Sequence, residues 1–100
     1  MITEIAIIDV KPGSEQAFID AFRAVGHDLL ATTPGCLEAR MERSRETPTR
    51  FVGLTRWESV GAHLENFRGT DRYAKYRAVL APTLSAAPRV EHFDDVMNAA

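Results

Sequence analysis

The sequence predicts an α+β fold with elements in the order β-α-β-β-α-β, and three observations support this order. Four short segments alternate in polarity or are rich in β-branched and aromatic residues, which is typical of strands. Two longer segments repeat apolar residues at helical spacing. Breakers that contain glycine or proline separate these segments. The order is that of the ferredoxin-like split βαβ arrangement, a four-stranded antiparallel sheet with its helices on one face.

The first strand and the first helix are predicted from residues 2–10 and the segment that follows. Within residues 2–10, the run Ile5-Ala6-Ile7-Ile8 is apolar at successive positions, which is typical of a strand covered on both faces. Lys11-Pro12-Gly13 breaks this strand, and Ser14 is placed to cap a helix. The apolar residues of that helix recur on one face. They are Phe18, Phe22, Val25 and Leu29.

A hairpin is predicted next. Thr32-Thr33-Pro34-Gly35 ends the helix, because proline cannot continue it and glycine can adopt a left-handed conformation. Residues 36–46 alternate in polarity, which indicates a half-exposed strand. The turn Thr47-Pro48-Thr49 leads into a strand from Phe51 to Trp57. The apolar side of the half-exposed strand consists of Leu37, Ala39 and Met41.

At Trp57 the polarity pattern changes from that of a strand to that of a helix. Ser59 is a suitable N-cap for this second helix. Gly69-Thr70-Asp71 separates it from a further helical segment that ends near Pro82. Residues 89–97 alternate and predict a last strand, at an edge of the sheet because of its charges. The apolar residues of the two helical segments are Val60, Leu64 and Phe67, then Tyr73, Tyr76 and Leu80.

Length, charge and cysteine content limit the classes of function. One hundred residues predict a single domain, 1–100. The net charge of −2, from 12 basic and 14 acidic residues, predicts neither a nucleic-acid partner nor a membrane surface. The single cysteine, Cys36, fits a reducing compartment, and no apolar run approaches the roughly 20 residues of a membrane span. We therefore expect a cytoplasmic protein.

No cofactor or metal is expected. The glycines are dispersed and form neither a dinucleotide-binding fingerprint nor a phosphate-binding loop. The histidines are His27, His63 and His92, and they do not have the spacing of a metal site. Because the first strand is apolar on both sides while the helices cover one face, a partner is expected on the other face. A two-fold homodimer is the simplest solution, and its facing sheets would enclose a cavity or a small barrel.

The candidate site residues lie near the junction at Trp57. His63 follows it closely and is interpreted either as an acid/base group at a pocket or as a partly exposed helix residue. His92 shares a strand face with Val90, so it points either into the barrel or across the dimer. Trp57 is interpreted as a packing anchor or as part of the pocket. Tyr73 and Tyr76 share one helix face, which is interpreted either as core packing with satisfied hydroxyl groups or as a cavity wall.

The sequence resembles the antibiotic biosynthesis monooxygenase domain family over roughly residues 3 to 94. The resemblance rests on Pro12-Gly13 with Phe18 after it, on Gly35, and on Trp57-Glu58-Ser59 followed by Ala62-His63. It implies a dimeric α+β barrel. Members include cofactor-free monooxygenases of polycyclic phenols or quinols, haem-degrading enzymes and a signal-molecule isomerase.

Family site residues are only partly matched. Haem-degrading members have an asparagine and a haem-ligating histidine at positions where this chain has Ala6 and Tyr76. Haem degradation is therefore disfavoured. Many quinol monooxygenases carry further histidines where this chain has Phe67 and Arg72. His63 and His92 are therefore the catalytic candidates. The substrate-binding candidates are Trp57, Tyr73, Tyr76, Ala6 and Phe67.

The resemblance predicts a cofactor-independent monooxygenase that oxidises a small aromatic, phenolic or quinol-type metabolite with dioxygen. Such chemistry needs an enclosed cavity and a base that favours the phenolate. Two alternatives stay open at this point. One is a non-catalytic dimer that binds a small apolar ligand. The other is an isomerase or cyclase, which would not need oxygen.

Overall fold

Four antiparallel strands form one sheet in the computed structural model, which describes residues 1–98. Residues 99–100, the last two of the predicted domain, lie outside the described residues. The order across the sheet is β2-β3-β1-β4. This confirms the predicted ferredoxin-like fold. The strands are β1 (Ile2–Asp9), β2 (Cys36–Arg43), β3 (Arg50–Trp57) and β4 (Arg89–Phe93).

Three helices pack on one face of the sheet. Helix α1 covers residues 15–31, helix α2 covers residues 60–68, and helix α3 is Asp71–Leu80, followed by a 3₁₀ turn at Ala81–Thr83. As predicted, Ser59 caps α2, since its Oγ accepts a hydrogen bond of 3.0 Å from the Ala62 amide. Ser14 precedes α1 but makes no side-chain cap bond. No helix within residues 1–98 is long and apolar enough to cross a membrane.

The inward face of α1 differs from the prediction after its first turns. Phe18 and Phe22 are buried as expected, but Val25 is 39% exposed. A π-helical turn at Phe22–Gly26 explains this, because its wider hydrogen-bonding pattern advances the following residues by one position. The buried residues are consequently Gly26 and Leu30.

Helix α2 also presents a different face from the predicted one. Val60 and Leu64 are exposed, whereas His63 and Phe67, four residues apart, point under the sheet and are buried. Hydrophobic periodicity missed this because a histidine occupies a core position. A second π-helical turn, Leu64–Arg68, ends the helix.

The edge strands are shorter or less regular than predicted. A register shift between Cys36 and Glu38 turns Leu37 outward, so that it is 51% exposed and does not share the buried side with Ala39 and Met41. Strand β4 ends at Phe93 rather than near Met97, because residues 94–97 do not pair with β1. Both β2 and β4 are edge strands.

The central strands β1 and β3 pack against the helices on one face. None of the described residues covers their other face. Alternation places Glu4, Ala6 and Ile8 of β1 on the helix side, where the core lies. Phe18 of α1 packs on Phe51 of β3 with a ring separation of 4.7 Å. On the opposite face, the half-buried residues of β1 and β3 include Ile5, Ile7, Val52 and Leu54.

Candidate functional site

A cavity of about 740 Å³ lies between the sheet and the helices. Its volume is in the usual range for small-molecule sites. The walls come from all four strands and all three helices, and the exposed residues at the rim include Arg68, Arg77 and the loop 85–88. Most of the wall is apolar. The aliphatic and aromatic wall residues include Ala6, Ile8, Phe18, Leu30, Phe67, Tyr73, Tyr76 and Leu80.

Glu4 is the acidic side chain that β1 directs into this cavity wall. It lies between Ile2 and Ala6 on the helix-facing side of the strand and is only 8% exposed. Its Oε1 accepts a hydrogen bond of 2.9 Å from Nε1 of Trp57, the last residue of β3. The pairing of β1 with β3 brings these two strands together along their full length. Glu4 was not among the predicted site residues, although a charged residue at an inward position of an apolar strand was a usable signal.

His63 joins Glu4 from the helix side. The Ser59 cap fixes the start of α2, and His63 then lies under the sheet, where it is 1% exposed. Its Nε2 is 3.3 Å from Oε1 of Glu4. The imidazole also stacks on Trp57, with ring centroids 4.9 Å apart. Trp57 therefore holds both the carboxyl group and the imidazole in place.

His92 extends this cluster toward solvent. In the antiparallel pairing of β1 with β4, His92 stands directly opposite Glu4. Its Nε2 lies 2.8 Å from Nδ1 of His63, a hydrogen-bond distance. Because His92 is only half-buried, Glu4, His63 and His92 form a continuous polar chain from the cavity wall to the protein surface.

The chemistry of the groups assigns the protons along this chain. A carboxylate oxygen only accepts hydrogen bonds, so Nε2–H of His63 points to Glu4 when Glu4 is ionised. The neutral His63 then accepts at Nδ1 from Nε2–H of His92. Each donor faces an acceptor, which is the arrangement that a proton relay requires.

Burial shifts the pKa of both inner members of the chain. Desolvation lowers the pKa of His63 to about 4, and positive charge at His92 and Arg68 acts in the same direction. His63 is therefore neutral at pH 7. Desolvation raises the pKa of Glu4, although the hydrogen bond from Trp57 opposes this. Opposed shifts of neighbouring groups in a cavity wall are typical of sites that transfer protons.

The structure brings most of the predicted site residues together. Five of them line the cavity. His92 is outside the wall but bonds to His63. Trp57 is fully buried behind His63 and does not line the cavity. The five lining residues are Ala6, His63, Phe67, Tyr73 and Tyr76.

Tyr73 and Tyr76 form an aromatic wall around Phe67. Their rings meet it edge-on, with centroid separations of 5.6 Å and 5.3 Å. Burial raises the pKa of the Tyr76 hydroxyl, so that this group stays protonated at neutral pH. The wall is suited to contact a flat apolar ligand.

The topology and the internal cavity define an α+β domain of the ferredoxin-like class. Residues 1–79 match the family model of the antibiotic biosynthesis monooxygenases. The chain belongs to this family, as its sequence pattern predicts. It is 33% identical over 96 residues to the uncharacterised protein YczJ of Bacillus subtilis, an alignment that spans 96% of this chain and 100% of that protein.

Solved structures agree with this assignment. A Bordetella bronchiseptica protein assigned to the antibiotic biosynthesis monooxygenases superposes with a TM-score of 0.90 and 30% identity, covering 95% of this chain and 96% of that one. A monooxygenase from the gene ActVA-Orf6 of Streptomyces coelicolor, solved in complex with nanaomycin D, superposes with a TM-score of 0.80. At 23% identity, over 94% of this chain and 86% of that one, it shows the shared fold.

Proposed function

We propose that this protein is a cofactor-independent monooxygenase that oxidises a small phenolic or quinol-type aromatic compound with dioxygen. The observation that carries the proposal is the Glu4–His63–His92 chain at the wall of an otherwise mainly apolar cavity. Membership of a family that includes monooxygenases supports it. A ligand-sized apolar cavity excludes water, and the polar chain supplies a place for a proton.

The proposed reaction begins with loss of the phenolic proton to Glu4 or His63. The proton passes to His92 and then to solvent after the two imidazoles exchange tautomers, so that Nδ1–H of His63 donates to Nε2 of His92 and the chain carries the proton outward. The electron-rich phenolate reduces dioxygen, a bond forms between a ring carbon and oxygen, and a hydroperoxide results. Loss of water breaks the O–O bond and leaves a new carbonyl group. In sum, a phenol with a ring C–H bond and one dioxygen give a quinone and one water.

Oxygen uptake tests this proposal. Purified protein is mixed with a panel of naphthols, naphthoquinols and anthrones in an oxygen electrode, and formation of the carbonyl product is followed by mass spectrometry with labelled dioxygen. We expect incorporation of one labelled oxygen atom into the product. The absence of protein-dependent uptake across the panel, with the protein folded by circular dichroism, contradicts the proposal.

Substitution within the Glu4–His63–His92 chain tests its role in proton transfer directly. His92→Gln interrupts the path to solvent, and we expect it to lower kcat by about tenfold to a hundredfold, in the range of general acid–base effects. Added imidazole restores part of the lost rate if the missing function is proton transfer. His27→Gln is the matched control, because His27 is an exposed histidine on α1 and lies outside the cavity wall.

A second candidate function is binding of an apolar small molecule without turnover. The apolar lining of the cavity favours it, since most wall residues have no acidic, basic or nucleophilic group. Saturable binding of a naphthol, with no product formed in the presence or absence of oxygen, supports this second function. Product formation that does not require oxygen points instead to an isomerase or cyclase.

We also propose that the protein acts as a homodimer through the face of the sheet opposite the helices. Ile5, Ile7 and Leu54 make this face apolar, and a solvent-exposed sheet face is normally more polar. Nε of Arg56 on the same face is buried and has no hydrogen-bond partner within residues 1–98. Glu91 also lies on it, so that a two-fold contact can pair opposite charges.

A further inference from the structure

Two arginines at the rim of the cavity lie over the same aromatic ring. Arg68 is the last residue of α2, and Arg77 lies in α3. The guanidinium carbon of Arg68 is 4.9 Å from the centroid of the Tyr73 ring, and that of Arg77 is 5.8 Å from it. Tyr73 is itself part of the cavity wall. The two positive charges are therefore held by one aromatic ring beside the opening.

Neither charge is neutralised by the described part of the chain. Arg40 and Arg50 form ion pairs with Glu42 and Asp9, whereas Arg68 and Arg77 take part in none of the ion pairs formed by residues 1–98. Two like charges near one ring repel each other. An anion beside both would remove this repulsion and accept hydrogen bonds from both guanidinium groups.

The charge distribution also orients a ligand. The acidic residue of the wall is Glu4, at the inner end of the polar chain, and it repels a second anionic group. The positive charge of Arg68 is close enough to lower the pKa of both Glu4 and His63. An anionic group therefore lies most favourably at the rim, while an uncharged ring extends inward along Phe67 and Tyr76.

We propose that Arg68 and Arg77 bind the carboxylate of the substrate, and that the substrate is an aromatic acid rather than a neutral aromatic compound. The planar ring occupies the apolar cavity, with its phenolic oxygen toward Glu4 and His63. This inference rests on the proposed function for the identity of the reacting end. Recognition of the carboxylate depends only on Arg68 and Arg77 and not on the reaction.

A matched pair of ligands tests the proposal. Binding of a dihydroxynaphthoate and of the dihydroxynaphthalene with the same hydroxyl pattern is measured by fluorescence under anaerobic conditions. We expect the acid to bind about tenfold more tightly, as a charge-assisted contact with partly exposed arginines allows. Raising the salt concentration reduces this preference, because the contact is at the rim and is screened.

Substitution of the arginines separates the rim from the rest of the cavity. Arg68→Gln and Arg77→Gln each weaken binding of the acid by about three- to tenfold and change binding of the neutral compound much less, because only the acid loses a charge-assisted contact. Both side chains are exposed, so the variants are expected to fold. Arg45→Gln, in the turn between β2 and β3, is the control and retains the preference for the acid.

Equal affinity for the two ligands overturns the inference, and so does a preference for the acid that survives both substitutions. Lack of binding by either ligand also overturns it for this ring class. Because binding is measured without oxygen, these outcomes are independent of turnover. Selective binding of the acid without later oxygen uptake supports the arginine site and contradicts the monooxygenase proposal.

Discussion

At the scale of single residues, the burial of His63 has a consequence for stability. Its imidazole is 1% exposed, and its pKa falls from 6.5 to about 4 on folding. The unfolded chain therefore binds a proton at this position between those pH values, whereas the folded protein does not. The stabilisation is complete above pH 6.5 and is lost as the pH falls toward 4. Glu4, with its raised pKa, acts with the opposite sign.

We predict that His63 alone removes about 3 kcal/mol of unfolding free energy across this pH interval. Urea unfolding of the wild type and of His63→Gln, at a series of pH values, measures the contribution as the difference in pH dependence. His27→Gln retains the wild-type dependence, because His27 is exposed. Parallel curves for the wild type and His63→Gln would show that folding leaves the pKa of His63 unchanged.

The parts of the site that could be predicted are those with a local signal. His63 follows a strand–helix junction with a capping serine, and this pattern predicted its importance. The contact between His63 and His92 could not be derived, because it depends on the register between β1 and β4, which the sequence pattern leaves open. Arg68 and Arg77 were not predicted, since exposed arginines on helices are ordinarily solvated.

At the scale of secondary-structure elements, the sequence predicted the number and order of strands and helices but not their irregularities. The π-helical turn Phe22–Gly26 moves the buried position from Val25 to Gly26, and a shift near Leu37 turns that side chain outward. Both changes depend on tertiary packing. Gly26, for example, lies against Tyr76 of α3, where a larger side chain would crowd the ring.

Gly35 connects two elements and provides a test with an internal control. Gly35 and Gly13 both have φ of +91°, so a side chain is strained at either position. A Cβ at Gly35 would also lie 2.6 Å from Cβ of Ala62 in α2, whereas one at Gly13 would meet nothing within 4 Å. The end of α1 can therefore approach α2 closely only with glycine at Gly35.

We predict that Gly13→Ala lowers the unfolding free energy by about 1 kcal/mol, the cost of the backbone conformation alone. Gly35→Ala costs about 1–3 kcal/mol more, because the crowded contact adds to the same backbone cost. Denaturant unfolding of the two variants measures the difference. Equal losses would mean that α2 moves away from residue 35 without a penalty.

At the scale of the whole molecule, the sheet separates two environments. The helix side holds the core, the cavity and the polar chain. The other side is half-buried in the described chain and carries Ile5, Ile7 and Leu54. On the same face, Nε of Arg56 is buried and has no hydrogen-bond partner among the described residues, which costs free energy of folding. The proposed homodimer would account for both features.

Leu54 is the residue at which this interface is best tested. It lies at the middle of β3, between Ile5 of β1 and Arg40 of β2, on the face away from the helices. We predict that the wild type sediments as a dimer and that Leu54→Glu raises the dissociation constant by about a hundredfold or more. A carboxylate buried at the centre of the contact costs several kcal/mol to desolvate, and the neighbouring Arg40 already pairs with Glu42.

Val25→Glu is the control for this substitution, since Val25 is an exposed apolar residue on α1, on the opposite side of the sheet. It adds the same charge and is expected to leave the dimer intact. Circular dichroism distinguishes dissociation from unfolding of the Leu54→Glu variant. A monomeric wild type at micromolar concentration would exclude the dimer, whereas dissociation by both substitutions would point to an effect of net charge rather than of this face.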